Sequence, residues 1–285
     1  MRPLLTGRAL RTLVASALAA FGLLALLLQF YQAVWGGVPY PGHGGLVACA
    51  VAALSAGYAV VRVVPRGPIR RQFHRPDFLI EIKPGDLFDE RDAHLVIGFT
   101  DTFDTDTTDD RIIHNSSVQA QFLHREFNGS REALDAALAA ALAEIKISEE
   151  IPRQRKRHGK LDRYPAGTVA VLGEPRRYFF CVAYSTMTDL LTAQSSGDLI
   201  WTSLSHLWAE IFAYTQRGRV AMPVIGSALA RVDALDRAGL LKLVLLSFVA
   251  ASRNAVVTSA LTIVVRPDEF AQLDRLEIEA FLRSL

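Results

Sequence analysis

The sequence predicts an α/β domain with its sheet covered on both faces, preceded by a helical hairpin in a membrane. Three observations carry that expectation. Arg2, Arg8, Arg11 and Arg62 are the only formal charges in residues 1–65, which leaves 27 basic against 29 acidic residues in the rest of the 285-residue chain. Two apolar runs, Leu13 to Phe30 and Leu46 to Val61, lie in the uncharged interval between Arg11 and Arg62. From Asp77 onward, short strand-like apolar runs alternate with longer runs at helical spacing. With 51% hydrophobic and 21% charged residues the chain is neither disordered nor collagen-like. Its net charge of +2 argues against a surface built to neutralise phosphate backbones, so nucleic acid is not an expected partner.

Each apolar run, with its flanks, reaches the roughly 20 helical residues that cross a bilayer. Gly36-Gly37-Val38-Pro39-Tyr40-Pro41-Gly42 supplies the turn between them. Arg2, Arg8 and Arg11 precede the first run, and Arg62, Arg66, Arg70, Arg71 and Arg75 follow the second. The positive-inside rule then puts both termini in the cytoplasm of a two-span, multi-pass cell-membrane protein. A signal peptide is the competing reading of the first run; no A-x-A-like site follows it, and a second apolar run comes next. Cys49 in the second run and Cys181 in a strand-like run are not expected to pair, as suits a cytoplasmic domain.

The expected organisation is a transmembrane hairpin over 1–64, a basic juxtamembrane linker over 65–76 and a cytoplasmic domain over 77–285. Pro65, Gly67, Pro68 and Pro76 mark the linker. In the domain, Phe78 to Ile82 and His94 to Phe99 read as strands, then Ser117 to Phe127 and Arg131 to Ile147 as helices, the latter with Leu134, Leu138, Leu142 and Ile145 on one face. Arg153 to Lys160 reads as a solvated basic loop. Strands at Thr168 to Leu172 and Arg177 to Ala183 follow, then a helix from about Asp198 to Gln216, a strand at Arg219 to Val224 and a helix from about Leu235 to Ser252. Ala260 to Val265 and Pro267 to Ser284 give a last strand and a last helix.

Two constellations, spread over three loops, can carry binding chemistry. Ile225-Gly226-Ser227-Ala228-Leu229 joins a strand to a helix through small residues, a place where backbone N–H groups and a helix dipole can face a phosphate or where a tight turn is simply structural. Gly85-Asp86-Leu87-Phe88 and Thr100-Asp101-Thr102-Phe103-Asp104-Thr105 each follow a strand, the position at which α/β sheets take ligands. Asp86 can accept from a nucleobase amine or ribose hydroxyl, and equally can cap a turn. Asp104-Thr105-Asp106-Thr107-Thr108 also has the D-x-D-x-T form of haloacid-dehalogenase-type phosphatases, but Thr100 to Phe103 separate it from its strand and no convincing Asp-Asp metal motif lies downstream. The seven histidines form no H-E-x-x-H, two cysteines do not build a zinc site, and no G-x-S-x-G is present.

The order of the motifs is more specific than any one of them. Gly85-Asp86-Leu87-Phe88, Val96-Ile97-Gly98, Phe103-Asp104-Thr105, Ile112-Ile113-His114-Asn115-Ser116-Ser117, Tyr164-Pro165-Ala166-Gly167-Thr168 and Pro223-Val224-Ile225-Gly226-Ser227 together resemble the macro domain of Thoeris antiphage effectors, and the hairpin ahead of them resembles the membrane-anchored type. The resemblance implies a three-layer αβα macro-like sandwich with a mixed sheet. It implies a receptor rather than an enzyme, with no catalytic residues, metal or cofactor. The ligand would be an ADP-ribose derivative, with histidine-conjugated ADP-ribose the implied messenger, made from NAD by a TIR-domain partner. Binding would drive homo-oligomerisation and membrane disruption, ending in abortive infection. By position, Asp86 and Leu87 fall at the adenine end, Phe99, Thr100, Asp104 and Thr105 near the distal ribose, and Gly226, Ser227, Ala228 and Leu229 around the diphosphate, with Asn115 and Ser117 as further ligand-binding candidates. Family members often carry Asn where Thr100 stands and Gly where Ala120 and Ala228 stand; Ala228 resists a positive φ and Thr100 lacks the two amide donors. A membrane-tethered ADP-ribosyl or phosphate hydrolase and a pocketless scaffold are the rival readings.

Overall fold

The computed structural model describes residues 7–37, 42–63, 67–226 and 236–285, with side chains at 7–10, 12 and 60–63 left aside. The chain forms two compact units, Met1–Gly67 with Ala271–Ala280, and Pro68–Phe270 with Phe281–Leu285.

The first unit contains α1 (Gly7–Trp35) and α2 (Gly44–Val63), which pack against each other. Within α1, Leu13–Trp35 runs for 23 residues, with a mean hydropathy of 2.3 over its most apolar 18-residue window, enough at 1.5 Å per residue to cross a hydrocarbon core of roughly 30 Å. Its large apolar side chains point outward: Leu18, Leu26, Phe30 and Trp35 are each more than 60% exposed, a surface suited to lipid. The apolar stretch of α2, Gly44–Ala59, is shorter than a straight crossing requires, so among the described residues one helix, not two, meets the requirement. Ser55 Oγ donates to the Val51 carbonyl at 2.7 Å, which satisfies its hydroxyl inside the helix. A groove of about 910 Å³ runs along the pair, lined in part by Ala15, Ser16, Ala19 and Ala20. Tyr40 and most of the expected turn lie outside the described residues.

The second unit is built on a mixed sheet in the order β1-β2-β10-β9-β3-β7-β6. Its strands are β1 (Ile69–His74), β2 (Asp77–Pro84), β3 (His94–Thr100), β6 (Val169–Glu174), β7 (Arg177–Met187), β9 (Val220–Pro223) and β10 (Ala260–Val265); β8 (Ala193–Gln194) adds to the end of β7, and β4 (Glu149–Glu150) pairs separately with β5 (Asp162–Arg163). The five central strands are parallel, and both edge strands run antiparallel to their neighbours. Central strands such as β10, every residue of which is buried, carry the continuous apolar runs of a sheet covered on both faces.

Helices supply the two covers. On one side α3 (Val118–Glu126) and α4 (Arg131–Leu142) seat Phe122, Leu123, Leu134 and Leu138 against Leu95, Ile97 and Phe99 of β3. On the other, α5 (Gly197–Thr215) packs on β7 and on α6 (Arg237–Asn254), where Trp208 meets Phe248 edge-on at 5.2 Å. Each such buried side chain contributes about 1.5–3 kcal/mol. Every long helix after residue 100 starts on a side chain that caps it: Ser117, Ser130, Ser196 and Asp236 accept the N–H three residues on.

Three expectations change. Ile69–His74, expected in the linker, form edge strand β1, because the main chain of β2 pairs with it and Glu81, buried in β2, takes the Arg70 guanidinium at 2.7 Å. The last helix is two, α7 (Pro267–Phe270) and α8 (Arg275–Ser284): Asp274 accepts the Glu277 N–H at 3.1 Å and restarts the helix. The short strands β4, β5 and β8 are additional.

Candidate functional site

The parallel strands end together, and a cleft of about 640 Å³ opens at their carboxyl ends. Gly85 and Asp86 enter from β2, Thr100 from β3, Tyr184, Ser185 and Met187 from β7, Gly226 from the turn after β9, and Arg266 from the end of β10. The loop Ile112–Ser117 and the first turn of α3 form one wall.

Asp86 caps a single 3₁₀ turn, Leu87–Asp89: its Oδ1 accepts the Phe88 N–H at 3.0 Å. Its Oδ2 takes the Arg125 guanidinium at 2.6 Å, and that guanidinium lies over the Phe88 ring. Thr100 lines the cleft at the end of β3, where the register against β7 shifts between Phe99 and Thr100 and leaves Tyr184 as the extra residue on β7. Gly226 has φ +82°, the left-handed region that glycine enters freely. Its N–H donates to the Tyr184 phenol, which burial pushes up to about 12, so Tyr184 stays a neutral donor at physiological pH. Gly98 lies beneath that ring, where a Cβ would sit far inside van der Waals contact with Tyr184.

Asp104 and Thr105 are placed elsewhere and do not line the cleft. Asp104 is 1% exposed and takes the ammonium of Lys156, itself 0% exposed, at 2.6 Å. Burial lowers the Lys156 pKa and the Asp104 charge opposes that shift. Thr105 Oγ1 donates to Asp135 of α4 at 2.7 Å. Between them Phe103 sits fully buried at φ +47°, its ring stacked on Phe99 and edge-on to Tyr164. A bulky side chain is seldom found in that region, and the packing around it holds the loop there. Neighbouring Asp101 is also buried; burial raises its pKa while the Met187 N–H and Arg163, at 2.9 and 2.7 Å, work against that.

Of the candidate ligand-binding residues, the fold therefore brings Asp86, Leu87, Phe99, Thr100, Asn115, Ser117 and Gly226 to one cleft. Ser227, Ala228 and Leu229 lie outside the described residues. Asn115 is held by Asp110, which accepts from both its main-chain and amide nitrogens, and Ser117 is spent on capping α3. Sequence reading missed Tyr184, Gln119 and Arg266, which line the cleft, and Lys156, which supports it. The basic loop Arg153–Lys160 is not wholly solvated: Lys156 points inward while Arg153, Arg155 and Arg157 are exposed. Among the described residues no group of His, Cys, Asp and Glu is arranged to hold a metal ion.

A mixed αβα sandwich with a cleft at the ends of its parallel strands, and an aspartate after the first of them, defines the macro-domain class. A mutant macrodomain of Oceanobacillus iheyensis superposes with a TM-score of 0.52 at 13% identity, over 78% of this chain and 99% of that one, and so shares the fold. The chain belongs to the family described as Thoeris protein ThsA, Macro domain, whose model matches residues 80–266. The Thoeris protein ThsA of Bacillus amyloliquefaciens (strain Y2) is 29% identical over 154 residues, 53% of this chain and 50% of that relative, so the chain spans about half of that relative's length.

Proposed function

We propose that this protein is an effector of Thoeris antiphage defence that receives an ADP-ribose-derived second messenger in its macro domain and answers by damaging the membrane. The observation that carries the reading is the cleft: in a chain of the ThsA macro-domain family, Asp86, Thr100 and Gly226 come from three different strand ends to line one cavity of a size suited to a small-molecule ligand. The messenger is histidine-conjugated ADP-ribose, supplied by a TIR-domain enzyme that acts through the messenger alone. A nucleotide can drive a response only through higher affinity for the active state than for the resting one. The active state here is a homo-oligomer in which α1 and α2 of neighbouring copies cluster. Small residues at Ala48, Ala52 and Ala56 of α2, and Ala15 and Ala19 of α1, permit close helix approach. Both helices enter the bilayer with the termini cytoplasmic, α2 crossing with the help of its flanks.

The test is dye release from vesicles holding the full chain. Histidine-conjugated ADP-ribose is expected to release dye and to shift the protein to a larger sedimenting species, with ADP-ribose weaker. Release that is the same with and without ligand contradicts the reading, and consumption of the ligand makes the protein a hydrolase.

A further inference from the structure

Behind Thr100 lies a polar cluster that the cleft does not touch. Lys156, Thr102 and Asp104 are 0%, 0% and 1% exposed, and their hydrogen bonds fix one another's directions. An ammonium has three donors and no acceptor. Those of Lys156 go to Asp104 Oδ2 at 2.6 Å, Thr102 Oγ1 at 3.1 Å and the Lys160 carbonyl at 2.7 Å. Asp104 Oδ1 accepts the Lys160 N–H at 2.6 Å, and Gly159, at φ +80°, lets the loop close over the carboxylate.

A carboxylate only accepts, so Thr102, whose Oγ1 lies 2.5 Å from Asp104 Oδ2, gives its single hydroxyl proton there. Its oxygen already accepts from Lys156. Thr100 Oγ1 is 3.3 Å away, and in that pair Thr102 has no proton left to give. In that bond Thr100 is therefore the donor, which leaves its hydroxyl only lone pairs to offer a ligand in the cleft. On the other side of Asp104, the Gln119 side-chain amide donates to the Asp104 carbonyl, which ties a second cleft residue to the same cluster.

We propose that the buried Asp104–Thr102 relay, held by Lys156, fixes Thr100 as a hydrogen-bond acceptor, so that this part of the cleft selects a ligand group that donates, such as a sugar hydroxyl. Thr102, Asp104 and Lys156 are positioning residues, since they touch no ligand. The inference rests on the ADP-ribose reading for its ligand and goes beyond it in stating which polarity the site accepts. A site built to pair with a donor rejects the analogue that lacks it far more strongly than it would reject a change in apolar bulk.

The test compares ADP-ribose with analogues in which each ribose hydroxyl in turn is replaced by fluorine, titrated into the full chain in detergent. The parent is expected to bind at least one fluoro analogue tenfold or more weaker. In Thr102→Val, which keeps the shape and the Lys156–Asp104 pair, that ratio falls below threefold because the Thr100 hydroxyl is free to turn. Thr100→Val loses the same discrimination. A merely structural role would change thermal stability and leave the ratio alone. A parent that does not discriminate, or a folded Thr102→Val chain that discriminates as the parent does, overturns the proposal. If the parent takes up no ADP-ribose, the functional reading fails and the Thr100 hydroxyl proton, followed by NMR, judges the relay: a slowly exchanging hydroxyl signal that is lost in a folded Thr102→Val chain supports it, and no such signal in the parent, or one unchanged in Thr102→Val, overturns it.

Discussion

Gly98 is a glycine for a reason visible only in three dimensions: the Tyr184 ring occupies the place where its Cβ would be. Gly98→Ala must push that ring, and with it the phenol that accepts the Gly226 N–H, out of position. Overpacking of this kind costs about 1–3 kcal/mol. The expected outcome is a lower unfolding temperature by calorimetry and at least a tenfold loss of ADP-ribose affinity, the second because Tyr184 lines the cleft. Lys156 teaches the complementary lesson. In the sequence it is one of several basic residues between Arg153 and Lys160, and nothing in its spacing separates it from its exposed neighbours. Its partner Asp104 is 52 residues away, and only the fold makes the two adjacent. Asp104 and Thr105 were legible as polar residues after a strand, but Phe103, held at a positive φ, turns the loop so that they face Lys156 and α4.

At the scale of elements, apolar periodicity located the long helices and central strands of the domain, since those elements bury a continuous face, although α4 stops at Leu142, five residues before the expected Ile147. It failed at the polar edge strand and at the shortest strands. β1 carries the exposed residues Arg70, Arg71 and Gln72 in a row, the composition of a linker, and β4, β5 and β8 have two residues each, too few for a period. Capping residues separate stability from binding. Ser117 and Ser130 cap α3 and α4 with the same bond, to the N–H three residues on, at 3.0 and 3.2 Å. Replacing either with alanine is expected to cost about 1 kcal/mol in denaturant unfolding. The cap of α3 lines the cleft and that of α4 does not. Ser117→Ala should therefore also weaken ADP-ribose binding severalfold, while Ser130→Ala binds as the parent does; equal affinities in the two variants would detach α3 from the site.

For the whole molecule, the split between an apolar start and an ordinary charged domain was legible in the charges alone, and α1 bears out the apolar part. The second span was read from an uncharged run that reaches crossing length only with its flanks, and among the described residues the apolar stretch of α2 is Gly44–Ala59, so one helix meets the requirement. The cleft was legible as loops after strands, because ligands gather at the carboxyl ends of parallel strands, whereas Tyr184 and Arg266 were not, since a sequence does not tell which strand lies beside which. The central claim is that this cleft is a receptor for an ADP-ribose compound. It is tested most directly by calorimetric titration of the full chain in detergent with ADP-ribose, followed by chromatography of the recovered ligand. The account predicts saturable heat and intact ligand, with about 2.7 kcal/mol of added stability at a hundredfold excess over Kd. The absence of both heat and stabilisation would contradict it, and a converted ligand would replace the receptor with an enzyme.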